Sequence, residues 1–395
     1  GAYDGLQSAN YFGTRMVILP DIHGGNLNHT GTFPSFAQFA NRAILTDNAE
    51  VTNMWAQIYQ GINRANQIIA QVPNINDPLL PQTQKDQVIG EALFLRAFNY
   101  FTLVRYWGGV PLKLDGTDVY DPAKVILPRS TESQVYGQIE SDLTTAISLM
   151  PVSTSKARAH QRSAQALLAR AYLYQQKYPE AIAMATTAST GYSLNSAFLD
   201  NWVTRNTSEA IFELNFNSVD NNTMNFFLLP SSAGGRNEAR PSTGLANAYS
   251  ATDTRRILTT STNSALRYYR AATDDDNVIL LRLAEMILIR AEAMVERNTG
   301  TDLADATVLV NQIRNRAGIG NYTGLTTQVA LRNEIFLQRR LELALEGHYF
   351  FDLVRTGRAA IVLTSPAWNP NMALLPIPLR EMNASGGTLT QNPGY

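Results

Sequence analysis

The sequence predicts a mainly α-helical protein with a scaffold of tetratricopeptide-like helix pairs, interrupted by an irregular, loop-rich insertion containing short β segments. Three observations support this fold class. Long segments repeat apolar residues at steps of three and four, which is the helical period. The segment LLARAYLYQQKYPEAIAMATTAS has small and aromatic residues at the positions of the tetratricopeptide pattern. Residues 192–276 lack the helical period and include the β-like piece AIFELNF.

We expect a single domain over residues 1–395, divided into an N-terminal helical half and three further parts. A lone helix hairpin cannot bury its own apolar face, so the pairs must stack on one another. The predicted parts are the helical half 1–191 with an early binding loop at 14–40, the insertion 192–276, C-terminal tetratricopeptide-like helices at 277–358 and a wrapping tail at 359–395.

The central element is a helix from Lys85 to Trp107 that is apolar on most of its circumference, so neighbouring helices should cover it on at least two sides. Gly108 and Gly109 should end it, because glycine accepts the left-handed conformation found after a last helical turn. The remaining predicted helices are a partner that begins with a capping box of Asp47 and Glu50, one that begins at Thr131 with Gln134, and segments at Gln161–Gln176, Asn277–Arg297, Leu303–Arg316 and Gln328–Gly347.

Composition excludes several classes of function. The 395 residues carry a net charge of −1 and no basic run, so nothing indicates a nucleic-acid partner. The chain has no cysteine, which excludes disulfides and thiolate metal sites in these residues. No apolar run approaches the roughly 18 to 20 residues that span a bilayer.

Catalytic motifs are absent from the sequence: there is no G-x-S-x-G, H-E-x-x-H, G-x-x-x-x-G-K-[ST] or G-x-G-x-x-G. Glu285 and Glu292 share one helix face, but two helical turns separate them by roughly 10 Å, which is wide for a hydrolytic pair. We interpret them as members of an ion-pair network between packed helices. The sequence therefore predicts a protein that is not an enzyme.

Metal binding has weak support. Asp21, His23 and His29 fall in the early loop, and Asp274–Asp276 form an acidic run, but neither has the regular spacing of a calcium loop. A capped turn and a solvated acidic patch at the start of a helix explain them. We predict no cofactor and no metal site, and leave a structural Ca²⁺ or Mg²⁺ open.

Two non-periodic loops concentrate the residue types that bind sugars. Sugar rings stack on exposed aromatic rings, with polar groups around them for the hydroxyls, whereas aromatics at helical spacing belong to the core. In the loop from Thr14 to Phe39 we set aside Asp21, His23, Asn26, Asn28, His29, Phe33 and Phe36. In the loop from Asn217 to Ser242 we set aside Phe226, Phe227 and Arg236. Trp202 and Trp368 also lie outside the helical stripes, and we expect both to pack inside.

Several segments resemble the SusD/RagB family of glycan-capturing outer-membrane lipoproteins. They are ALFLRAFNYFTLVRYWGGVPL at residues 92–112, LLRLAEMILIRAEA at 280–293, LELALEGHYFFDLVRTG at 341–357, LPIP at 375–378 and the closing QNPGY. The order of these segments along nearly the whole chain makes the resemblance specific. It implies non-catalytic binding of oligosaccharides at the cell surface and delivery to a SusC-like TonB-dependent transporter. It further implies a signal peptide and a lipidated cysteine that precede these residues and anchor the protein to the outer membrane.

The resemblance also implies that the ligand lies where the early loop and the insertion meet. We therefore predict that the ligand-binding residues are Asn28, His29, Phe33, Phe226, Phe227 and Arg236. Two alternatives stay open. A RagB-like lid would capture peptides through a long polar cleft, and a general tetratricopeptide adaptor would bind protein tails in a concave groove.

Overall fold

The computed structural model describes residues 1–116, 121–257, 268, 270 and 272–395, and it confirms a mainly α-helical fold. The N-terminal helices are α1 Asp4–Gln7, α2 Arg15–His23, α3 Pro34–Ala40, α4 Ala49–Gln71, α5 Gln82–Trp107, α6 Pro122–Val125, α7 Glu132–Leu149, α8 Gln161–Tyr174 and α9 Tyr178–Ala188. The later helices are α10 Asp200–Val203, α11 Met224–Leu228, α12 Thr243–Ala246, α13 Leu283–Arg297, α14 Asp302–Arg316, α15 Gln328–Glu342, α16 Tyr349–Arg355, α17 Ala359–Val362 and α18 Leu379–Ala384. Short 3₁₀ turns lie at Val72–Asn74, Ser231–Ala233, Thr254–Arg256 and Pro370–Ala373.

Four short strands form two separate antiparallel pairs. They are β1 Leu27–His29, β2 Ala210–Leu214, β3 Ala239–Pro241 and β4 Val278–Arg282. β1 pairs with β3, and β2 pairs with β4. Each pair joins segments that are distant in the sequence, so the insertion is tied at one end to the early part of the chain and at the other to the C-terminal helices.

Helix α5 lies at the centre of the largest apolar core, as its sequence predicts. Nearly all of its residues from Gly90 to Trp107 are buried, and it packs between α4 and α7. The indole Nε1 of Trp107 donates a hydrogen bond of 2.9 Å to the carbonyl of Pro376 in the tail. Gly108 has φ +69° and ends the helix. The tail therefore packs against the end of α5.

The helix pairs stack in the expected manner. α8 packs on α9, α9 packs on α13, and α13 packs on α14 and α15. The capping box of Thr131 and Gln134 is present at the start of α7. The start of α4 differs from the prediction, because Asn48 and not Asp47 caps it by accepting hydrogen bonds from the backbone N–H groups of Glu50 and Val51.

Two segments contradict the prediction. The stretch from Thr14 to Phe39 is not one long loop, because α2, β1 and most of α3 lie within it. α2 is buried on all sides, so it has no amphipathic period to detect. The helix predicted from Asn277 begins instead as strand β4, whose five residues are all buried against β2 and its surroundings. A short apolar run that is buried on both faces has the same pattern in a strand as in a helix.

Buried ion pairs connect the helices, as predicted for Glu285 and Glu292. Arg170 binds both carboxylate oxygens of Glu285 at 2.6 Å, and Arg355 is bidentate to Glu292. The acidic run at Asp274–Asp276 differs from its prediction. Asp276 is buried and accepts a 2.9 Å hydrogen bond from the backbone N–H of Arg270, and a strand follows it in place of a helix.

Among the described residues, no helix combines the length and the apolar character that crossing a membrane requires.

Buried histidines predict acid sensitivity. Burial lowers the pKa of His23 to about 3 and that of His160 to about 4, and it lowers the pKa of His348 well below 6.5. Below pH 6.5 the unfolded chain takes up these protons and the folded chain does not, so stability falls by about 1.4 kcal/mol per pH unit for each histidine. Burial raises the pKa of Asp276 to about 6, so the folded chain takes up this proton before the unfolded chain does. This gain in stability on acidification offsets roughly the loss from one of the three histidines.

We therefore expect urea unfolding at pH 5 to begin at a clearly lower denaturant concentration than at pH 7. NMR titration of the imidazole signals should show the three buried rings still neutral at pH 5. Equal midpoints at both pH values would contradict this prediction.

Candidate functional site

The candidate site lies where the early segment meets the insertion. β1 and β3 pair with Asn28 opposite Arg240 and His29 opposite Ala239. Backbone hydrogen bonds extend the pairing on both sides, from Thr30 N–H to the Glu238 carbonyl and from Ser242 N–H to the Asn26 carbonyl, each 2.8 Å. The strand pair therefore holds two segments about 200 residues apart in one register.

A buried carboxylate fixes the turn that follows β1. Glu238 is fully buried, and its Oε2 accepts a 2.9 Å hydrogen bond from the backbone N–H of Thr32 and lies 3.4 Å from His29 Nε2. Its Oε1 lies 2.8 Å from Nε of Arg236. A Cβ on Gly31 would lie 1.4 Å from Glu238 Oε2, so any larger residue at this position would have to displace the buried carboxylate.

Aromatic rings from both segments form one cluster beneath the turn. Phe36 and Phe227 are stacked with 5.1 Å between ring centroids and 8° between planes. Phe33 contacts both rings at 5.9 Å, and Phe226 meets Phe227 edge-on at 5.3 Å. The guanidinium of Arg15 lies 5.4 Å from the Phe227 ring on the other side. The cluster locks α3 of the early segment to α11 of the insertion.

The solvent side of this cluster presents groups suited to a sugar. Phe226 is 41% exposed, and Phe33 is half-buried. The Arg236 side chain is 48% exposed; its guanidinium carbon lies 5.0 Å above the Phe33 ring, and Nη2 donates a 2.6 Å hydrogen bond to Thr32 Oγ1. Asn28 is exposed on the same strand pair. Phe33, Phe226 and Arg236 thus form one partly exposed group, whereas Asn28 neighbours His29 on β1 and points to the opposite face of the strand pair, since His29 faces Phe36.

The six predicted site residues all belong to this region, but they do not have equal access to solvent. Phe227 is only 5% exposed and His29 is half-buried against Glu238. The expectation that Phe227 is an exposed ring is therefore wrong, because it packs into the aromatic cluster. Solvent therefore reaches Phe33, Phe226, Arg236 and Asn28, whereas Phe227 and His29 are packed beneath.

Other residues set aside from the sequence lie in the core. Asp21, His23, Asn26 and Phe36 are at most 1% exposed. The His23 ring stacks on Phe350 with 3.8 Å between centroids. Trp202 is 6% exposed and packs against Phe198, as expected for a core residue, and Trp368 packs partly buried against Phe350.

Sequence reasoning missed Glu238 and Thr32. Both position the turn between β1 and α3, and neither is aromatic or part of a recognisable motif. The signal available for Glu238 was a single acid two residues after Arg236 in an otherwise polar stretch. Its role depends on the pairing of β1 with β3, which no local pattern specifies.

Within the part of the chain that the structure describes, no three His, Cys, Asp or Glu side chains are grouped so as to hold a metal ion. The surface offers aromatic faces and hydrogen-bonding groups, which is the chemistry of reversible binding.

Comparisons with known proteins find related sequences over most of the chain. A family profile described as "Starch-binding associating with outer membrane" matches residues 23–173, and one described as "SusD family" matches residues 229–395. The SusD-like protein P2 of Formosa agariphila is 26% identical over the whole chain and 91% of its own length. A SusD-like protein of Bacteroides ovatus is 23% identical over 88% of this chain and 73% of its own.

Solved structures share the fold over the full length. A SusD superfamily protein from Bacteroides vulgatus superposes with a TM-score of 0.87 at 22% identity, covering 100% of this chain and 97% of its own. A laminarin-binding SusD-like protein has a TM-score of 0.78 at 26% identity, covering 100% and 99%. The family consists of carbohydrate-binding proteins and not of enzymes. On the two profiles and these full-length relatives, the chain belongs to the SusD/RagB family.

Proposed function

We propose that this protein captures oligosaccharides at the cell surface without cleaving them and delivers them to a SusC-like TonB-dependent transporter in the outer membrane. Its lipid anchor would precede the residues of this sequence. The family profile for residues 23–173, with its description as starch-binding and outer-membrane-associated, supports the binding activity and the location.

The observation that carries the proposal is the surface made by Phe33, Phe226 and Arg236, which contact one another. The apolar face of a pyranose ring can lie on Phe226, and the guanidinium of the neighbouring Arg236 supplies donors for hydroxyl groups; Asn28, exposed on β1, would supply a donor and an acceptor to a ligand that extends over the strand pair. The strand pair and the buried aromatic cluster hold these groups in place before the ligand arrives, so little ordering is needed on binding.

Laminari-oligosaccharides are the first ligands to test. The laminarin-binding SusD-like protein is 26% identical to this chain over its full length, so its ligand class is the best starting point. The panel should add starch, other plant and microbial oligosaccharides, and a mixed peptide pool.

We expect calorimetry to show binding of an oligosaccharide that weakens about tenfold, or 1.4 kcal/mol, in Phe226→Ala. Arg236→Ala and Phe33→Ala should weaken binding comparably, because they remove a hydrogen-bonding cation and a ring on the same surface. Leu325→Ala is the matched control, since Leu325 is 73% exposed and far from this site in sequence and contacts. Thermal unfolding should show that Phe226→Ala folds normally.

Other outcomes are decisive as well. If only peptides bound, the ligand class would be peptides and not oligosaccharides, and the protein would be a RagB-like lid of a transporter. Oligosaccharide binding that survives all three substitutions would place the site elsewhere. Delivery is tested separately in cells, where the full-length lipidated protein carrying Phe226→Ala should reduce oligosaccharide uptake through the transporter.

A further inference from the structure

A pocket lies between α4, the segment around α6 and the tail helix α18, and none of its lining residues belongs to the aromatic cluster. Its volume is about 220 Å³. Trp55 lines it and is held edge-on against Trp107 with 5.3 Å between ring centroids. The walls are apolar and come from three parts of the chain: Pro111, Val125, Ile126, Leu127, Ala384 and Leu389. We call it the Trp55 pocket.

Three polar side chains line the Trp55 pocket, and two of them are available to a ligand. The hydroxyl of Ser385 is already engaged, donating to the Met382 carbonyl at 2.8 Å and accepting from the Leu389 N–H at 3.2 Å. Lys113 and Glu381 are half-buried, and among the described residues neither side chain forms an ion pair. The Lys113 ammonium instead lies 4.9 Å from the centre of the Tyr59 ring.

The two charges influence each other without touching. Burial lowers the pKa of Lys113, and the charge of Glu381 acts in the opposite direction. A cation and a carboxylate thus line one apolar pocket, each partly removed from water and, among the described residues, neither in an ion pair. A ligand group of opposite charge could form a charge-assisted hydrogen bond with each of them.

This arrangement selects one chemical class of ligand. A polyhydroxylated sugar would find only two groups for its many hydroxyls and would lose the rest of its hydrogen bonds. An uncharged apolar molecule would leave both charges unpaired. A molecule with an apolar body, a carboxylate and an ammonium group would satisfy the pocket completely. Its size is also bounded, because dry cavities of about 150 Å³ bind benzene.

We propose that the Trp55 pocket binds a small apolar zwitterion of the amino-acid class. Its carboxylate pairs with Lys113, its ammonium pairs with Glu381, and its side chain packs on Trp55, Ile126 and Leu389. The volume fits a molecule slightly larger than benzene, such as leucine or phenylalanine. This site is independent of the oligosaccharide surface and does not rest on the proposed function.

The test is calorimetry of the purified protein with L-leucine and L-phenylalanine, each compared with derivatives that lack one or both charges. Leucine should bind, and N-acetyl-L-leucine amide, which has the same side chain and no charge, should bind at least about tenfold more weakly. Lys113→Met and Glu381→Gln should each weaken leucine binding by a similar factor. Glu180→Gln, at an exposed acid remote from the pocket, should leave it unchanged.

A charge-matched comparison separates pairing from general damage. N-acetyl-L-leucine lacks the ammonium, so the native protein should discriminate against it, whereas Glu381→Gln should bind it about as well as leucine. The proposal is overturned if leucine and phenylalanine give no binding up to about 10 mM, if the uncharged amide binds equally well, or if Lys113→Met has no effect. Oligosaccharide binding measured on the same Lys113→Met protein should persist, so failure of either proposal is recognised separately.

Discussion

Arg282→Met is expected to lower the free energy of unfolding by about 3 to 5 kcal/mol, the range for breaking a buried ion pair. The Arg282 side chain is 1% exposed and its guanidinium binds three carboxylates, with 2.7 Å to Glu209, 2.7 Å to Glu342 and 2.8 Å to Glu346. Methionine has a similar length and no charge, so it would leave three buried carboxylates short of a cation. Urea unfolding followed by circular dichroism measures the change.

Glu342 shows the electrostatic reason why the expected loss of unfolding free energy is this large. Burial alone would raise the pKa of this carboxyl, but the guanidinium groups of Arg316, Arg282 and Arg255 hold it well below its usual range. The charge is therefore retained inside the protein only because cations surround it. Losing Arg282 removes the one that also reaches Glu209 and Glu346.

Arg332→Met is the matched control. Arg332 is bidentate to Glu296 with distances of 2.6 and 2.8 Å, but the two side chains are 39% and 20% exposed. Water screens such a pair, so the expected cost is at most about 1 kcal/mol. Equal losses in the two variants would show that burial does not set the strength of these ion pairs.

Sequence reasoning finds the elements that have distinct apolar and polar faces, or a length that only a helix can have. α4 has an apolar stripe on one face, so its helical period is readable. α5 is buried almost all round, and its 26 residues, far more than a strand has, make it recognisable as a helix. α2 and β4 are buried all round, and uniform burial removes the contrast between faces that period-based reasoning needs. Pro20 inside α2 and the glycines that follow it added a misleading resemblance to a loop.

The candidate site shows a similar division. The early segment and the insertion were both identified because they are polar and lack the helical period. The pairing of β1 with β3 brings these two segments together. Which ring faces solvent was not predictable, because Phe226 and Phe227 are adjacent in the sequence and differ only in the direction each takes from α11. Phe227 points to Phe36, a partner about 190 residues earlier in the chain. No local pattern contains that contact.

Phe36→Ala is expected to abolish oligosaccharide binding although no ligand on the surface can reach this ring. Phe36 is completely buried, stacks on Phe227 and contacts Phe33. Removing it leaves a cavity beneath both segments and should cost about 3 to 5 kcal/mol of stability. The two segments of the site would then lose their common support. Calorimetry should detect no oligosaccharide binding, and urea unfolding should measure the loss of stability.

Phe36→Leu and Phe226→Ala separate support from contact. Leucine refills most of the cavity, so Phe36→Leu should retain most of the stability and most of the affinity. Phe226 is 41% exposed, so Phe226→Ala should change stability by less than about 1 kcal/mol while weakening binding. If Phe36→Ala bound oligosaccharide normally despite its lost stability, the aromatic cluster would not position this surface. The binding site would then lie away from the junction of α3 and α11.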